Sequence, residues 1–183
     1  MEHTDLHYPP QQESSRQRWM KRLPPILLLA ILPFLFFQRH VLNAPKRVEL
    51  SKLKFVDLKG VPLPESIFRG KAIVLNYWAP WCGPCRIETP WLKKLQEAHR
   101  KDLVVIGVVA DPGYYQQAAD YMASKGVSYP LVRETSDVDT VFGNVTVFPT
   151  TFYISAKGQV AYAESGITPE PLMEHYANGA LAK

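Results

Sequence analysis

Cysteine is almost missing from this chain: of 183 residues only Cys82 and Cys85 are cysteines. A framework of structural disulfides is therefore excluded, and whatever the two sulfurs do they do as a local pair. A surplus of one charge is also lacking. Lys and Arg number 21 against 17 Asp and Glu, a formal net charge of +4. Residues 1–40 hold five basic and three acidic side chains, which leaves sixteen and fourteen for residues 41–183. So small and dispersed an excess is no nucleic-acid footprint. There is no internal repeat and no low-complexity tract. Apolar residues at 46% and charged residues at 21% are ordinary globular usage, which excludes wholesale disorder and collagen. The length suits one domain with a short extension.

Residues 23–37, LPPILLLAILPFLFF, carry no charge. A polar stretch at 1–15 and the basic cluster Arg16, Arg18, Lys21 and Arg22 precede them. A basic flank before an apolar run is the layout of a secretory signal or signal-anchor. Fifteen helical residues span about 22 Å, short of a hydrocarbon core of roughly 30 Å. Snorkelling of Lys21, Arg22 and Arg39, with Trp19 at the interface, extends the reach. Leu42-Asn43-Ala44 makes a poor cleavage site, so an uncleaved anchor is expected rather than a cleaved signal. The expected layout is a cytoplasmic basic tail at 1–22, a single-pass anchor at 23–40, a linker at 41–49 and a folded domain at 50–183. The basic flank puts that domain outside the cytoplasmic (inner) membrane, on the periplasmic side.

The folded part alternates strand and helix patterns. Residues 53–58 and 61–63 straddle Gly60 as a small hairpin. Residues 72–78 (AIVLNYW) and 103–109 (LVVIGVV) are nearly continuous apolar runs of the kind that buried strands show. Residues 84–100 are helical, with Trp91, Leu92, Leu95 and Ala98 on one face. A helix at 115–125 stops at Gly126, and a short strand is expected at 127–132 and a short helix at 137–142. Residues 150–154 and 159–163 flank Lys157-Gly158 as an antiparallel hairpin. A helix at 171–181 has Leu172, Met173 and Tyr176 facing in. This order predicts an α/β fold with a central mixed sheet and helices on both faces.

Trp81-Cys82-Gly83-Pro84-Cys85 lies where a buried strand gives way to a helix. The first cysteine then sits at a helix N-terminus, where free N–H groups and the dipole favour an anion. That favours the thiolate, which is the nucleophile. Cys82 is the expected attacking thiol. Cys85, one turn inward, is the expected resolving thiol that completes the exchange. Pro84 suits the first helical turn. A zinc site would need two more ligands, and His99 and His175 lie far downstream without ligand spacing. A c-type haem site would need histidine where Arg86 stands.

With WCGPC following an apolar strand, the chain resembles the thioredoxin superfamily. The longer pattern NYWAPWCGPCRIETPWL at residues 76–92 resembles the membrane-anchored TlpA/ResA/CcmG-like thiol–disulfide oxidoreductases, over roughly residues 50–180. The resemblance implies a thioredoxin fold, with the 53–63 hairpin as an N-terminal extension. It implies thiol–disulfide exchange on protein substrates and no cofactor. It also implies re-reduction by a membrane donor of the DsbD/CcdA kind. In Val147-Phe148-Pro149-Thr150-Thr151, Pro149 matches the family's cis-proline that binds substrate backbone. X–Pro bonds are cis in only about 5–6% of cases, so that expectation rests on the resemblance. Phe148 and Trp81 would form apolar walls beside the disulfide, with Gly83 and Pro84 completing the substrate surface. Trp78 is similar to a family tryptophan beneath the site, or is simply core.

Asn76 stands where cytosolic thioredoxins keep a buried aspartate. Glu88, three residues after Cys85 and on its helical face, matches a glutamate of the extracytoplasmic relatives. It is the expected proton relay for the thiols; the alternative is a solvated glutamate near the helix start. Val-Phe-Pro-Thr at 147–150 departs from the Gly-Val-Pro-Glu usual in CcmG-type proteins. That moves the expectation from cytochrome c maturation toward a general TlpA-like oxidoreductase. The Gly-Pro pair between the cysteines is that of reducing thioredoxins, near −270 mV, against about −120 mV for DsbA, so a reductant is expected. Two other functions remain open. A peroxiredoxin-like peroxidase would need a Pro/Thr-rich approach to one cysteine, which residues 75–82 lack. A metal- or haem-handling chaperone would use the pair as soft ligands.

Overall fold

The computed structural model describes residues 44–183. The expected basic tail, the anchor and the first residues of the linker lie outside the described residues. Among the described residues no helix is long and apolar enough to cross a membrane.

Strand β1 (Ala72–Trp78) is buried along its whole length. Helix α1 (Gly83–Ala98) follows, then β2 (Leu103–Val109), also buried throughout. Helix α2 (Tyr115–Ser124) leads to a short β3 (Leu131–Arg133), and α3 (Ser136–Phe142) leads to β4 (Thr150–Ile154). Strand β5 (Val160–Ser165) and α4 (Glu170–Leu181) close the chain. The five strands lie in the order β3-β2-β1-β4-β5. The pairs β1–β2 and β2–β3 are parallel; β1–β4 and β4–β5 are antiparallel. This is a thioredoxin-like α/β fold with a mixed central sheet.

Handedness explains the layering. Moving from β1 to β2 to β3 steps twice in one direction across the sheet, so two right-handed crossovers put α1 and α2 on the same face. The next connection must return past β2 and β1 to reach β4, and α3 takes the opposite face. The two cores agree with this. One joins Trp78, Cys82, Cys85, Leu92, Ala118, Met122 and Met173. The other joins Phe55, Phe68, Ile73, Tyr77, Val138, Phe142 and Phe152. Alternate residues of β1 thus serve opposite cores, which is why its sequence shows no polar alternation. Each large apolar side chain so buried contributes about 1.5–3 kcal/mol.

The segment before β1 differs from the expected hairpin of two strands. It is held by the single bridge Val56–Pro62, with hydrogen bonds Asp57 N–H to Val61 at 2.8 Å and Leu63 N–H to Phe55 at 2.8 Å. Pro62 and Pro64 have no N–H to extend a ladder. The segment instead covers the sheet edge: Asp57 bridges to Val132, and Arg133 N–H donates to the Val56 carbonyl at 2.8 Å. Strand β3 begins at Leu131 rather than 127, because Pro130 interrupts the donors; its carbonyl still accepts from Gly107 N–H at 3.0 Å. On α1, Leu92 and Leu95 are buried but Ala98 is exposed. On α4, Met173 is buried and Leu172 is exposed, so the inward stripe is Met173, Ala177 and Ala180.

Candidate active site

After β1 the chain makes a tight turn, with Cys82 N–H donating to the Ala79 carbonyl at 3.1 Å. Cys82 is the N-cap of α1, in extended backbone geometry. Its sulfur accepts from Cys85 N–H at 3.2 Å. A sulfur thus takes the place that a Ser or Asp oxygen usually fills at a cap, satisfying one free donor of the first turn. Pro84 sits in that turn, where a missing N–H costs nothing. The two sulfurs are bonded, with the Cα atoms 5.3 Å apart. Both cysteines are nearly buried, whereas Gly83 and Pro84 are exposed.

Glu88 follows on the same face of α1 and is completely buried, with no solvent exposure. The alternative of a solvated glutamate is therefore wrong. Its Oε1 accepts from Thr168 N–H at 2.5 Å, while Oε2 has no hydrogen-bond partner among the described residues. Burial pushes its carboxyl up to about 7, against the downward pull of the Thr168 N–H and of the Asn76 amide. Asn76, mid-strand on β1, donates its amide to Thr151 Oγ1 at 2.9 Å across the β1–β4 pair. The phenols of Tyr129 and Tyr153 are pushed up by burial, and the Glu88 charge adds to it. Glu88 therefore holds or releases a proton near neutrality in a buried corner.

Trp81 is 54% exposed, and its ring meets that of Phe148 edge-on at 6.1 Å. Phe148 also packs against the core that contains both cysteines. The Phe148–Pro149 bond is cis, and Pro149 is buried. So Trp81, Phe148, Cys82 and Cys85 come together, with Glu88 inside and the aromatic pair outside. Trp78 belongs to the same core; its ring lies 5.9 Å from that of Tyr121. Among the described residues no group of three or more His, Cys, Asp or Glu side chains is placed to hold a metal.

Sequence reasoning missed residues 166–168. Gly166 N–H donates to the Pro149 carbonyl at 2.7 Å, and Thr168 N–H donates to Glu88. One short loop between β5 and α4 thus fastens both the cis-proline and the buried carboxyl. Gly166 does so with φ at +91°, a conformation that penalises any side chain. A glycine before a helix was the only sequence signal, and the partners lie 80 positions apart for Glu88 and Thr168.

The redoxin family model matches residues 44–181, almost all of the described chain. The chain belongs to the redoxin family. Its relatives include the thiol–disulfide oxidoreductase ResA of Bacillus subtilis (strain 168), 33% identical over 134 residues, covering 73% of this chain and 66% of ResA. ResA of Geobacillus kaustophilus is 33% identical over 121 residues, covering 65% of this chain and 69% of that one. Among solved structures, a thiol:disulfide interchange protein of the thioredoxin family from Chlorobium tepidum TLS superposes with a TM-score of 0.60 at 28% identity. The match covers 70% of this chain and 92% of that one. By family the chain is thioredoxin-like, of the TlpA/ResA type. The matched stretch spans slightly less than two thirds of the Bacillus relative.

Proposed function

We propose that this protein reduces disulfides in other polypeptides by dithiol exchange, on the extracytoplasmic side of the membrane. The observation that carries the reading is a bonded Cys82–Cys85 pair capping α1 above a fully buried Glu88. In the reduced enzyme the Cys82 thiolate, favoured by the helix N-terminus, attacks one sulfur of the partner's disulfide. A Cys82–partner disulfide forms, and the other partner sulfur leaves as a thiolate. Cys85 gives its proton to Glu88 and attacks the Cys82 sulfur. The second partner thiolate leaves, and the enzyme is oxidised by two electrons to the bonded pair. Trp81 and Phe148 offer the apolar walls for the partner chain, beside Pro149, Gly83 and Pro84.

The reducing direction is supported by the Gly83-Pro84 pair, and the location by the basic, then apolar, N-terminal segment. Re-reduction requires a dithiol donor, for which a membrane thiol transporter of the DsbD/CcdA kind fits an anchored enzyme; tethering raises the effective concentration of donor and acceptor. Val147 and Thr150 beside the cis-proline favour a general TlpA-like substrate range over cytochrome c maturation. The test is a Cys85→Ser trap in cells. Partner polypeptides should accumulate in dithiothreitol-sensitive bonds to Cys82. A trap that captures nothing, or a reduction potential above about −180 mV, refutes the reductant.

A further inference from the structure

The outer face of α1 carries a second feature that exchange at the cysteines does not use. A cleft of about 450 Å³ opens between α1 and α2, beginning at Arg86, the residue after Cys85. Among the described residues three cations line it, Arg86, Lys93 and Lys125, and no carboxylate does. None of the three belongs to an ion pair among the described residues, although Lys52, Arg69 and Lys94 each face a glutamate. The cations are held together rather than apart. The Arg86 guanidinium lies 4.9 Å from the centre of the Tyr121 ring, and Lys125 Nζ lies 5.8 Å from the same ring. Lys93 Nζ donates to the Lys125 carbonyl at 3.3 Å. Like charges gathered on one aromatic floor repel, and an anion among them relieves the repulsion.

The rest of the lining selects among anions. Ile87, Pro90 and Val127 give the cleft an apolar side, and Ile87 is 52% exposed. A free phosphate or a lipid headgroup gains nothing from apolar walls. A carboxylate next to an apolar side chain gains from both, and Arg86 offers the planar fork that matches a carboxylate. We propose that this cleft is an exosite for an acidic segment, Asp or Glu flanking an apolar residue, in the polypeptide whose disulfide Cys82 attacks.

The proposal rests on the oxidoreductase reading and names the partner's chemistry. Arg86 and Lys93 lie four and eleven positions beyond Cys82 along α1, about 6–16 Å at the helical rise. An extended partner chain covers that span in about two to five residues. The acidic residues are therefore expected within that distance of the partner's cysteine. The exosite raises the encounter rate and fixes the direction in which the partner lies across the site.

The experiment uses the full chain in neutral detergent and two disulfide peptides. One carries Cys-Gly-Ser-Asp-Leu-Glu, the other Cys-Gly-Ser-Asn-Leu-Gln, each capped by mercaptoethanol. The reduced protein should reduce the acidic peptide about tenfold faster at low salt. The preference should vanish at about 1 M salt and in K93Q/K125Q, and should reverse in K93E/K125E. Bis(2-hydroxyethyl) disulfide, which is small and uncharged, should be reduced equally by all variants. Calorimetry with the cysteine-free acidic sequence should show binding to the oxidised protein that K93Q/K125Q loses. Equal rates for the two peptides overturn the exosite, as does a preference that survives both double variants. So does calorimetric binding of inorganic phosphate, or flotation with phosphatidylglycerol vesicles after detergent removal that depends on Lys93 and Lys125, without peptide binding. Failure to reduce bis(2-hydroxyethyl) disulfide overturns the oxidoreductase reading itself, and with it any role of the cleft in exchange.

Discussion

Replacing Glu88 by Gln makes a prediction whose size follows from the structure. A carboxyl normally near 4.5 stands at about 7 here because it is buried. The folded protein therefore holds a proton that the unfolded chain has released between those two values. Stability must fall as pH rises through this window, since there the native state binds more protons than the unfolded state. The loss is about 3 kcal/mol in all, complete above about pH 7, where the buried carboxylate stands ionised. Gln keeps the shape and the acceptor for Thr168 N–H and does not ionise. Near pH 4.5 the variant should be the less stable, by no more than the cost of its unpaired amide. Near pH 8 the variant should be the more stable, by an amount approaching that figure less the cost of its unpaired amide. Urea unfolding of the two oxidised proteins between pH 4.5 and 8 measures the difference at each pH. Glu134, also pushed up to about 7 by burial and by Asp139 beside it, titrates in both proteins and cancels. A difference that stays flat across the range refutes the buried, titrating carboxyl. In the reduced proteins, thiol titration should show at least one apparent cysteine pKa moving by about half a unit or more in the variant; no movement refutes the relay.

Two further outcomes test the scaffold. Gly107→Ala should destabilise the fold by about 1–3 kcal/mol, read as a lower denaturation midpoint. A methyl there would stand 2.9 Å from Leu131 Cδ2 and 3.1 Å from Trp78 Nε1. Trp81→Ala should leave stability within about 0.5 kcal/mol, as at other exposed positions. It should slow the reduction of polypeptide disulfides more than that of small uncharged ones, because the wall facing Phe148 is lost; equal slowing of both would count against a substrate-binding role.

Buried strands declared themselves through composition. The runs at 72–78 and 103–109 are apolar without alternation, and such runs have few fates other than a sheet covered on both faces. The cysteine pair was legible because a cap and a helical turn are local: the positions that matter lie within four residues. The interruption of β3 by Pro130 was readable in principle, since a missing N–H is a property of one residue.

Other features were decided at long range. A glutamate three residues after a cysteine reads equally well as solvated or buried. Only the packing of β1, β4 and the loop before α4 against α1 removed the water from Glu88 and raised its proton affinity. The cleft between α1 and α2 likewise gathers Arg86 from α1 and Lys125 from the turn that ends α2, and nothing in either stretch marks the other. Sequence by itself determined the elements and the chemistry of two adjacent sulfurs, because propensity, capping and thiolate stabilisation act over a few residues. Tertiary structure decided which polar groups lost their solvent and which charges became neighbours, because desolvation and Coulomb energies depend on distance in space and not along the chain.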